Sequence, residues 1–181
     1  MTAAEARALL ARADVVCAAG EVREAVGRLA GEITARLADD YPMVLAIMGG
    51  ATVFAGQLLP LLAFPLEFGA IAVTRYGNTT RGSEIDWRLA PGEDVRGRTV
   101  LVLDDILDEG ITLAAVRARL EELGAGRVLT AVLADKDLGR AKPVVPDFVG
   151  VRVPDRYVFG FGMDAFGLWR NLPAVYALEG R

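Results

Sequence analysis

Apolar residues along this chain follow two alternating patterns. One is helical: between residues 21 and 37, apolar side chains recur every three or four positions, which predicts an amphipathic helix over Glu21–Leu37. The other is a short apolar run without polar alternation, as in Met43–Met48 and Thr99–Leu103, which is typical of strands buried on both faces of a parallel sheet. The same patterns predict the remaining elements: a capped helix from Thr2, a helix over Thr52–Leu62, strand residues Ile71–Thr74, a helix over Thr112–Leu123 and a strand over Val128–Ala134.

The order of these elements predicts the fold class. Strands that alternate with helices form right-handed crossovers, so we expect an α/β protein with a mainly parallel central sheet flanked by helices. Short apolar segments follow Pro143 and Pro146, and we expect them to form a cap at the ligand end of the sheet; they are Phe148–Val153, Tyr157–Phe161 and Ala174–Ala177. The length of 181 residues fits a single domain, with its core in about 41–74 and 99–136 and the cap, or hood, from about 1–40 and 137–181.

The core pattern stops between residues 75 and 98. The first part of this stretch is polar and rich in glycine, and in the second part Ile85, Trp87 and Leu89 alternate with charged residues, as on a half-buried hairpin. Long irregular segments inside compact domains are commonly functional, so we expect a flexible lid over about 75–98. A passive surface hairpin is the alternative.

Composition excludes several classes of function. The chain has 24 acidic and 20 basic residues, so it does not offer the basic face of a protein that binds nucleic acid or an anionic membrane. It has no histidine, which excludes Ser-His-Asp and Cys-His catalysis and zinc sites built on imidazole. The apolar run at residues 58–66 is too short and too interrupted by proline to span a bilayer, although it is a candidate dimer surface. A lone Cys17 and the lack of a secretory signal predict a cytoplasmic protein.

The segment Val100–Thr112 carries the most specific chemistry of the chain. Asp104 and Asp105 follow its apolar strand together, at the edge where open α/β sheets bind ligands. The turn Asp108–Thr112 then opens a helix, where free backbone N–H groups and a hydroxyl form a site for a phosphate. Carboxylates beside a phosphate point to ribose hydroxyls, a bound metal or a proton to be removed. Paired aspartates at a strand end also occur in receiver domains and magnesium-dependent phosphatases, which do not need the rest of this turn.

This segment resembles the phosphoribosyl-pyrophosphate (PRPP) signature of the type I phosphoribosyltransferases, and its form from Asp104 to Gly110 is similar to the hypoxanthine-guanine branch of bacterial purine salvage. Weaker motifs stand in the family's order from about Tyr41 onward, at Ile47–Gly50, Arg75–Gly77, Ala134–Lys136, Pro154–Gly160, Asp164 and Trp169–Leu172. The resemblance implies Mg²⁺-dependent transfer of ribose 5-phosphate from PRPP to N9 of hypoxanthine or guanine, which gives IMP or GMP and pyrophosphate. It also implies a homo-oligomer, either a dimer or a tetramer.

The resemblance assigns roles within the PRPP signature. It places Asp104 and Asp105 at the ribose hydroxyls and near the magnesium ion. It places Asp108 at N7 of the purine, as general base or hydrogen-bond acceptor, although its position also makes Asp108 a candidate helix N-cap. The loop around the 5′-phosphate consists of Asp108, Glu109, Gly110, Ile111 and Thr112.

Lys136 is the implied selector of the base. Only Lys136 and Lys142 are lysines among the 20 basic residues; the others are arginines. A lysine at position 136 is therefore less readily explained as an arbitrary surface charge than an arginine would be. In the family the matching lysine donates to the 6-oxo group of the base, where the amino group of adenine would meet it donor to donor. An ion pair with Asp135 or Asp137 is the alternative for Lys136.

Further positions match contacts of the base and the pyrophosphate. Tyr157 matches the ring that stacks on the purine, with ordinary core packing as its alternative, and the Val158 carbonyl matches the acceptor for the N–H edge of the base. Asp164 is also expected at the purine, and it matches the carboxylate that reaches the magnesium bound to pyrophosphate. The positions expected at the pyrophosphate itself are Met48, Gly49, Arg75 and Arg170.

Three of these positions depart from the commonest family pattern. Met48 stands where many relatives have lysine, Arg75 where serine is frequent, and Ile111 where lysine or histidine is common. Two other functions stay open from the sequence: a PRPP-sensing regulator of the same fold, and a transferase for xanthine or another base. The acidic composition disfavours a regulator that binds nucleic acid.

Overall fold

The computed structural model describes residues 1–75 and 85–180, with the backbone alone at Arg75. The helices are α1 (Ala3–Ala11), α2 (Ala19–Leu37), α3 (Ala51–Leu58) and α4 (Ile111–Glu122). The strands are β1 (Asp14–Cys17), β2 (Met43–Met48), β3 (Glu67–Arg75), β4 (Ile85–Leu89), β5 (Thr99–Leu107), β6 (Arg127–Asp137), β7 (Phe148–Pro154), β8 (Val158–Phe159) and β9 (Val175–Ala177). Short 3₁₀ turns occupy Leu59–Leu61 and Glu93–Val95.

The main sheet has six strands in the order β4–β3–β2–β5–β6–β7. All neighbouring pairs are parallel except β3 with β4. Successive residues of β2 face opposite sides, so Val44 packs in the core beneath α2 and α3 while Leu45 packs in the core beneath α4. The sheet is therefore buried on both faces, and the predicted α/β fold with a mainly parallel sheet is confirmed.

A crevice opens where β2 and β5 separate. The ladder between these strands ends at Ala46 and Leu103, whereas β5 continues alongside β6 as far as Leu107. The chain passes from β2 to β3 on one side of this point and from β5 to β6 on the other. Ligands of open α/β sheets bind at such a switch in strand order, so the topology alone places a site here.

Strands β5 and β6 are longer than predicted. The prediction ended β5 at Leu103 and β6 at Ala134, but β5 runs through Asp104, Asp105 and Leu107, and β6 runs to Asp137. Carboxylates are poor strand formers by themselves, and the ladder between the two strands overrides that preference. The acidic pair is consequently held by a sheet and not by a flexible loop.

A second, three-stranded antiparallel sheet has the order β1–β9–β8. The sequence did not predict β1, whose four residues carry little periodicity and pair with a segment near the other end of the chain. The assignment of Phe148–Val153 to the cap was wrong, because this segment forms β7 and pairs in parallel with β6 at the edge of the main sheet. The later segments do leave the main sheet, and β8 carries Val158 directly after Tyr157.

The expected lid is described in part. β4 pairs with β3 as the second strand of a hairpin, with a register shift at Ala72 and Val73. Residues 76–84 and the side chain of Arg75 lie outside the described residues, so the lid itself stays a prediction. In the apolar run at 58–66, Leu58 and Leu62 are buried in the protein's own core, whereas Leu61, Ala63 and the two prolines are exposed, so part of this run faces outward and the dimer surface stays a prediction. Within residues 1–75 and 85–180, no helix combines the length and the apolar character needed to cross a membrane.

Candidate active site

The crevice contains a cavity of about 320 Å³ at the carboxyl ends of β2 and β5. Its walls come from four places: the end of β2 with the turn after it, Val73 on β3, the stretch from the end of β5 into α4, and one residue near the end of the chain, Arg170. Most residues predicted to hold PRPP line it: Met48, Gly49, Asp104, Asp105, Asp108, Glu109, Gly110, Ile111, Thr112 and Arg170. The structure therefore brings together groups that are more than 120 residues apart in sequence.

Asp104 and Asp105 are buried acids at the floor of this cavity, with 8% and 9% of their surface exposed. Backbone N–H groups hold both: Asp105 N–H donates to Asp104 Oδ1 and Ile106 N–H to Asp105 Oδ1, each at 3.0 Å. Burial raises the pKa of both carboxyls, and the neighbouring Asp105 raises that of Asp104 further. At Asp105, hydrogen bonds and the charge of Arg170 oppose the rise in pKa. Such a pair favours binding of hydroxyl donors or a cation, since either compensates the buried charge.

The turn after Asp108 is the predicted phosphate loop. Gly110 adopts φ 81° as the N-cap of α4, a left-handed conformation that glycine takes without strain. No side chain caps the described start of α4, which leaves its first N–H groups for a ligand, and the first-turn residues Ile111 and Thr112 line the cavity. The alternative of Asp108 as N-cap is wrong, because that position belongs to Gly110.

A second cavity of about 250 Å³ adjoins the first and shares Asp105, Ile106 and Asp108 with it. Its other walls are residues expected at the purine, together with one methionine: Lys136, Tyr157, Val158, Met163 and Asp164. Lys136 Nζ lies 2.7 Å from Asp108 Oδ2, and its side chain is only 11% exposed. The alternative pairing of Lys136 with Asp135 or Asp137 is wrong for this reason. The pair Asp108–Lys136 presents one acceptor and one donor side by side.

Arg170 and Asp164 form an ion pair beside both cavities. Arg170 donates to Asp164 Oδ1 at 2.5 Å and to the Gly162 carbonyl at 2.6 Å. The other oxygen of Asp164 accepts from Gly167 N–H at 2.7 Å. In the described chain, no three acidic or thiol side chains are grouped so as to hold a metal, so Asp164 does not form one cluster with Asp104 and Asp105.

Of the three departures from the family pattern, Met48 and Ile111 line the first cavity. Met48 is 39% exposed at the end of β2, and the Thr52 hydroxyl donates to the Gly49 carbonyl behind it at 2.9 Å. Ile111 is 37% exposed in the first turn of α4. Arg75 ends β3, and where its side chain points lies outside the described part of the structure.

Two positions at the site escaped the sequence analysis. The ring of Phe166 stacks on that of Tyr157, with centroids 5.9 Å apart and planes 13° apart, and no periodicity marks this exposed aromatic residue. Gly162 lies against the turn after β2, where an added Cβ would approach the Gly50 carbonyl oxygen to 2.1 Å. Only the number of glycines between Phe159 and Gly167 hinted at such close packing.

Comparison with known proteins identifies the family. The chain matches the phosphoribosyl transferase domain over residues 18–165. It is a member of the phosphoribosyltransferase family. This phosphoribosyltransferase is 32% identical over 160 residues to the hypoxanthine-guanine phosphoribosyltransferase of Bacillus subtilis, a match that covers 88% of the chain and 89% of the relative. It is 31% identical to the hypoxanthine-guanine-xanthine phosphoribosyltransferase of Tritrichomonas foetus, over 88% of the chain and 87% of that protein.

Solved structures agree with this membership. A crystal structure of a hypoxanthine-guanine phosphoribosyltransferase from Bacillus anthracis superimposes on this phosphoribosyltransferase with a TM-score of 0.85 and 25% identity, over 91% of the chain and 98% of the solved one. The family predicted from the PRPP signature, and its fold, are confirmed.

Proposed function

We propose that this phosphoribosyltransferase transfers the 5-phosphoribosyl group of PRPP to N9 of hypoxanthine or guanine, releasing pyrophosphate and forming IMP or GMP for purine salvage. The observation that carries the proposal is the pair of adjoining cavities. One ends at the start of α4 and suits a sugar phosphate, the other is lined by Lys136 and Tyr157 and suits a flat base, and Asp108 borders both. The relatives named for this activity, at 31–32% identity over most of their length, support it.

Binding of PRPP begins at the phosphate loop. The N–H groups of the first turn of α4 and the Thr112 hydroxyl surround the 5′-phosphate, where the helix dipole favours negative charge. The ribose hydroxyls then donate to Asp104 and Asp105, which compensates two carboxylates that burial otherwise disfavours. PRPP is thereby oriented with its reacting carbon toward the second cavity.

The base enters the second cavity and is read by polar groups at its edges. Lys136 donates to the 6-oxo group, the Val158 carbonyl accepts from the N–H edge, and the ring of Tyr157 covers one face. Asp108 accepts the proton at N7 as the new bond at N9 forms, since its side chain borders both the cavity for the sugar phosphate and the cavity for the base. A 6-amino group would confront the Lys136 ammonium donor to donor, which disfavours adenine.

The transition state separates a positively charged sugar from the leaving pyrophosphate. Asp104 and Asp105 provide negative charge under the sugar, and Arg170, with the N–H groups near Gly49, faces the pyrophosphate. Mg²⁺ in phosphate sites needs only one or two carboxylates besides the substrate oxygens, so either the pair Asp104 and Asp105 or Asp164 would hold a magnesium ion here, and the ion would supply positive charge to the pyrophosphate oxygens.

A cytoplasmic location and a homo-oligomeric state complete the proposal. The buried Cys17 fits a reducing compartment, where an unpaired thiol persists. Dimer or tetramer formation rests on the resemblance alone, and size-exclusion chromatography with light scattering tests it.

Two measurements on the purified protein test the proposal. The first is PRPP binding by calorimetry, and the second is formation of IMP from hypoxanthine and PRPP in the presence of magnesium. We expect both binding and turnover. Tight PRPP binding without IMP or GMP formation would favour the PRPP-sensing regulator instead.

Xanthine is the second candidate base, because the Tritrichomonas foetus relative is named for xanthine as well as for hypoxanthine and guanine. Xanthine shares the 6-oxo group read by Lys136, so that contact does not exclude it. Comparison of kcat/KM for xanthine with that for guanine decides whether the range of this enzyme extends to it.

A further inference from the structure

The second lysine of the chain, Lys142, lies in the loop between β6 and β7, behind the purine cavity. Its side chain is 10% exposed. Its Nζ donates to the Leu107 carbonyl at 2.8 Å, to Asp135 Oδ1 at 2.6 Å and to the Lys136 carbonyl at 2.5 Å. A lysine ammonium has three N–H donors, and the three acceptors around Lys142 use all of them.

Two of these acceptors belong to the backbone that carries the central pair of the site. Leu107 immediately precedes Asp108, and the other carbonyl is that of Lys136 itself. The ladder between β5 and β6 ends at Leu107 and Asp135, so Lys142 provides a cross-link just where sheet pairing between these strands stops.

We propose that Lys142 is a positioning residue that fixes Asp108 and Lys136 relative to each other by joining the backbone at the ends of β5 and β6. This inference rests on the proposed function, in which Asp108 and Lys136 read N7 and the 6-oxo group of one base. Those two atoms lie on the same edge of a purine, so their partners must keep a fixed separation. Lys142 acts on that separation without touching the base.

A simple neutralising role for Lys142 does not explain its contacts. Burial of an ammonium is costly, and an apolar side chain of similar shape would fill the space at less cost if packing were its only use. Pairing with Asp135 accounts for one of the three donors. The other two bind carbonyls on two different strands, which is the geometry of a clamp between them.

Loss of this clamp has a specific consequence for kinetics. The N–H groups of α4 that hold the 5′-phosphate lie outside the cross-link, so PRPP affinity is retained. The acceptor and donor for the base lose their fixed spacing, so the base binds and reacts in poorer geometry. The KM for hypoxanthine therefore rises while the Kd for PRPP does not.

Lys142→Met removes the ammonium and keeps most of the length of the unbranched side chain. We expect the KM for hypoxanthine to rise roughly tenfold or more, with the Kd for PRPP by calorimetry unchanged within about twofold. Arg152→Met is the matched control, because Arg152 is an exposed cation on β7 that lines the cavity next to Lys142, and its KM for hypoxanthine should equal that of the wild type.

The double variant Lys142→Met with Asp135→Asn separates the clamp from charge balance. It removes the carboxylate that Lys142→Met leaves without its cation, so a KM that stays raised supports the clamp, and a KM that returns to the wild-type value overturns it. A fall in kcat alone, with both KM for hypoxanthine and Kd for PRPP unchanged, also overturns it, since that is the signature of a lower fraction of folded enzyme.

Hydrogen exchange of the same proteins gives a result that does not depend on turnover. Amides at Leu107, Lys136 and Asp137, next to the two carbonyls that Lys142 binds, should exchange faster in Lys142→Met than in the wild type, and equal protection would overturn the inference. If the wild type formed no IMP, the proposed function would fail, and exchange at these amides would still decide whether Lys142 holds the two strand ends.

Discussion

Asp108 stands at the border of the two cavities, with its carboxylate 2.7 Å from the ammonium of Lys136. The proposed mechanism gives this side chain the N7 proton, whereas phosphate binding depends on the N–H groups that follow it in the chain. A single substitution can therefore separate chemistry from PRPP binding.

Asp108→Asn keeps the shape of the side chain and removes its charge. We expect kcat to fall about 10²–10⁴-fold, the range for loss of a general base, with the Kd for PRPP nearly unchanged. Asp137→Asn is the control, since Asp137 is an exposed carboxylate one residue beyond Lys136, and it should retain normal turnover. Turnover of Asp108→Asn close to that of the wild type would remove Asp108 as the base.

Burial of Asp104 is expected to lower the stability of the folded protein, although the proposed function needs this carboxylate at the ribose. Burial raises its pKa in the folded chain, so between the unfolded and folded pKa values the folded state binds more protons than the unfolded state. Stability must then fall as the pH rises through this window, and at pH 7 the carboxyl of Asp104 lowers the free energy of unfolding.

Asp104→Asn should therefore raise the Tm of the ligand-free protein at pH 7 while it impairs turnover. A gain of about 1 kcal/mol corresponds to about 2–4 °C for a domain of this size. The gain should shrink as the pH is lowered to about 4, near the ordinary pKa of aspartate. Thermal unfolding at both pH values checks this, with the exposed Asp39→Asn as control. An equal gain at both pH values would contradict burial of the charge as its cause.

At the residue scale, the sequence was enough to predict which residues belong to the candidate site, but not which of them contact each other. The PRPP signature and the scarcity of lysine singled out Asp108 and Lys136 before any geometry was known. Their ion pair was not predicted, because 28 residues separate them and only the β5–β6 ladder brings them together. Lys142 carried the same signal of scarcity, but its role depends on the carbonyl of Leu107, which the sequence does not mark.

At the scale of elements, the turn between β2 and α3 is fitted to the acidic pair on β5. Gly50 has ordinary helical torsions, so the backbone does not require glycine there. The lack of space beside this residue does require glycine, because a Cβ on Gly50 would approach Asp105 Oδ2 to 2.1 Å. Since Asp105 is buried and hydrogen-bonded, it cannot accommodate a methyl group without turning away from the proposed ribose site.

Gly50→Ala should raise the KM for PRPP and lower kcat by roughly tenfold to a hundredfold, because it displaces a group that orients the ribose. Gly56→Ala is the matched control within α3, where a Cβ meets nothing within 4 Å. That change should leave kinetics unchanged and stabilise the protein by about 0.5–1 kcal/mol, the helix preference of alanine over glycine. Equal kinetics for the two variants would show that the contact between Gly50 and Asp105 does not matter.

Elements with strong local periodicity were predicted best. α2 and β2 lie almost where their apolar patterns placed them, as both patterns are satisfied within one segment. β1 and the far ends of β5 and β6 exist through partners distant in sequence, and β7 was misassigned because its short apolar run fits a main sheet as well as a cap. Local propensity does not contain that information.

At the scale of the molecule, residues on or next to both sheets line the two cavities. The main sheet carries the acidic pair, the phosphate loop and Lys136, while the small sheet of β1, β8 and β9 fixes Tyr157 and Val158 at the other side of the base cavity. Tyr157 is tied to this sheet by its carbonyl, which accepts from Leu178 N–H at 3.0 Å. In the proposed function, recognition of the base thus depends on residues from the middle and the end of the chain.

A competition assay tests the proposed selectivity most directly. PRPP and Mg²⁺ are supplied with equal amounts of hypoxanthine, guanine, adenine and uracil, and the nucleotide products are identified by mass spectrometry. Because Lys136 is placed to donate to a 6-oxo group and Val158 to accept from the N–H edge, we predict IMP and GMP without AMP or UMP. Formation of AMP at a rate comparable to IMP, or of no purine nucleotide at all, would contradict the assignment of this site to 6-oxopurine salvage.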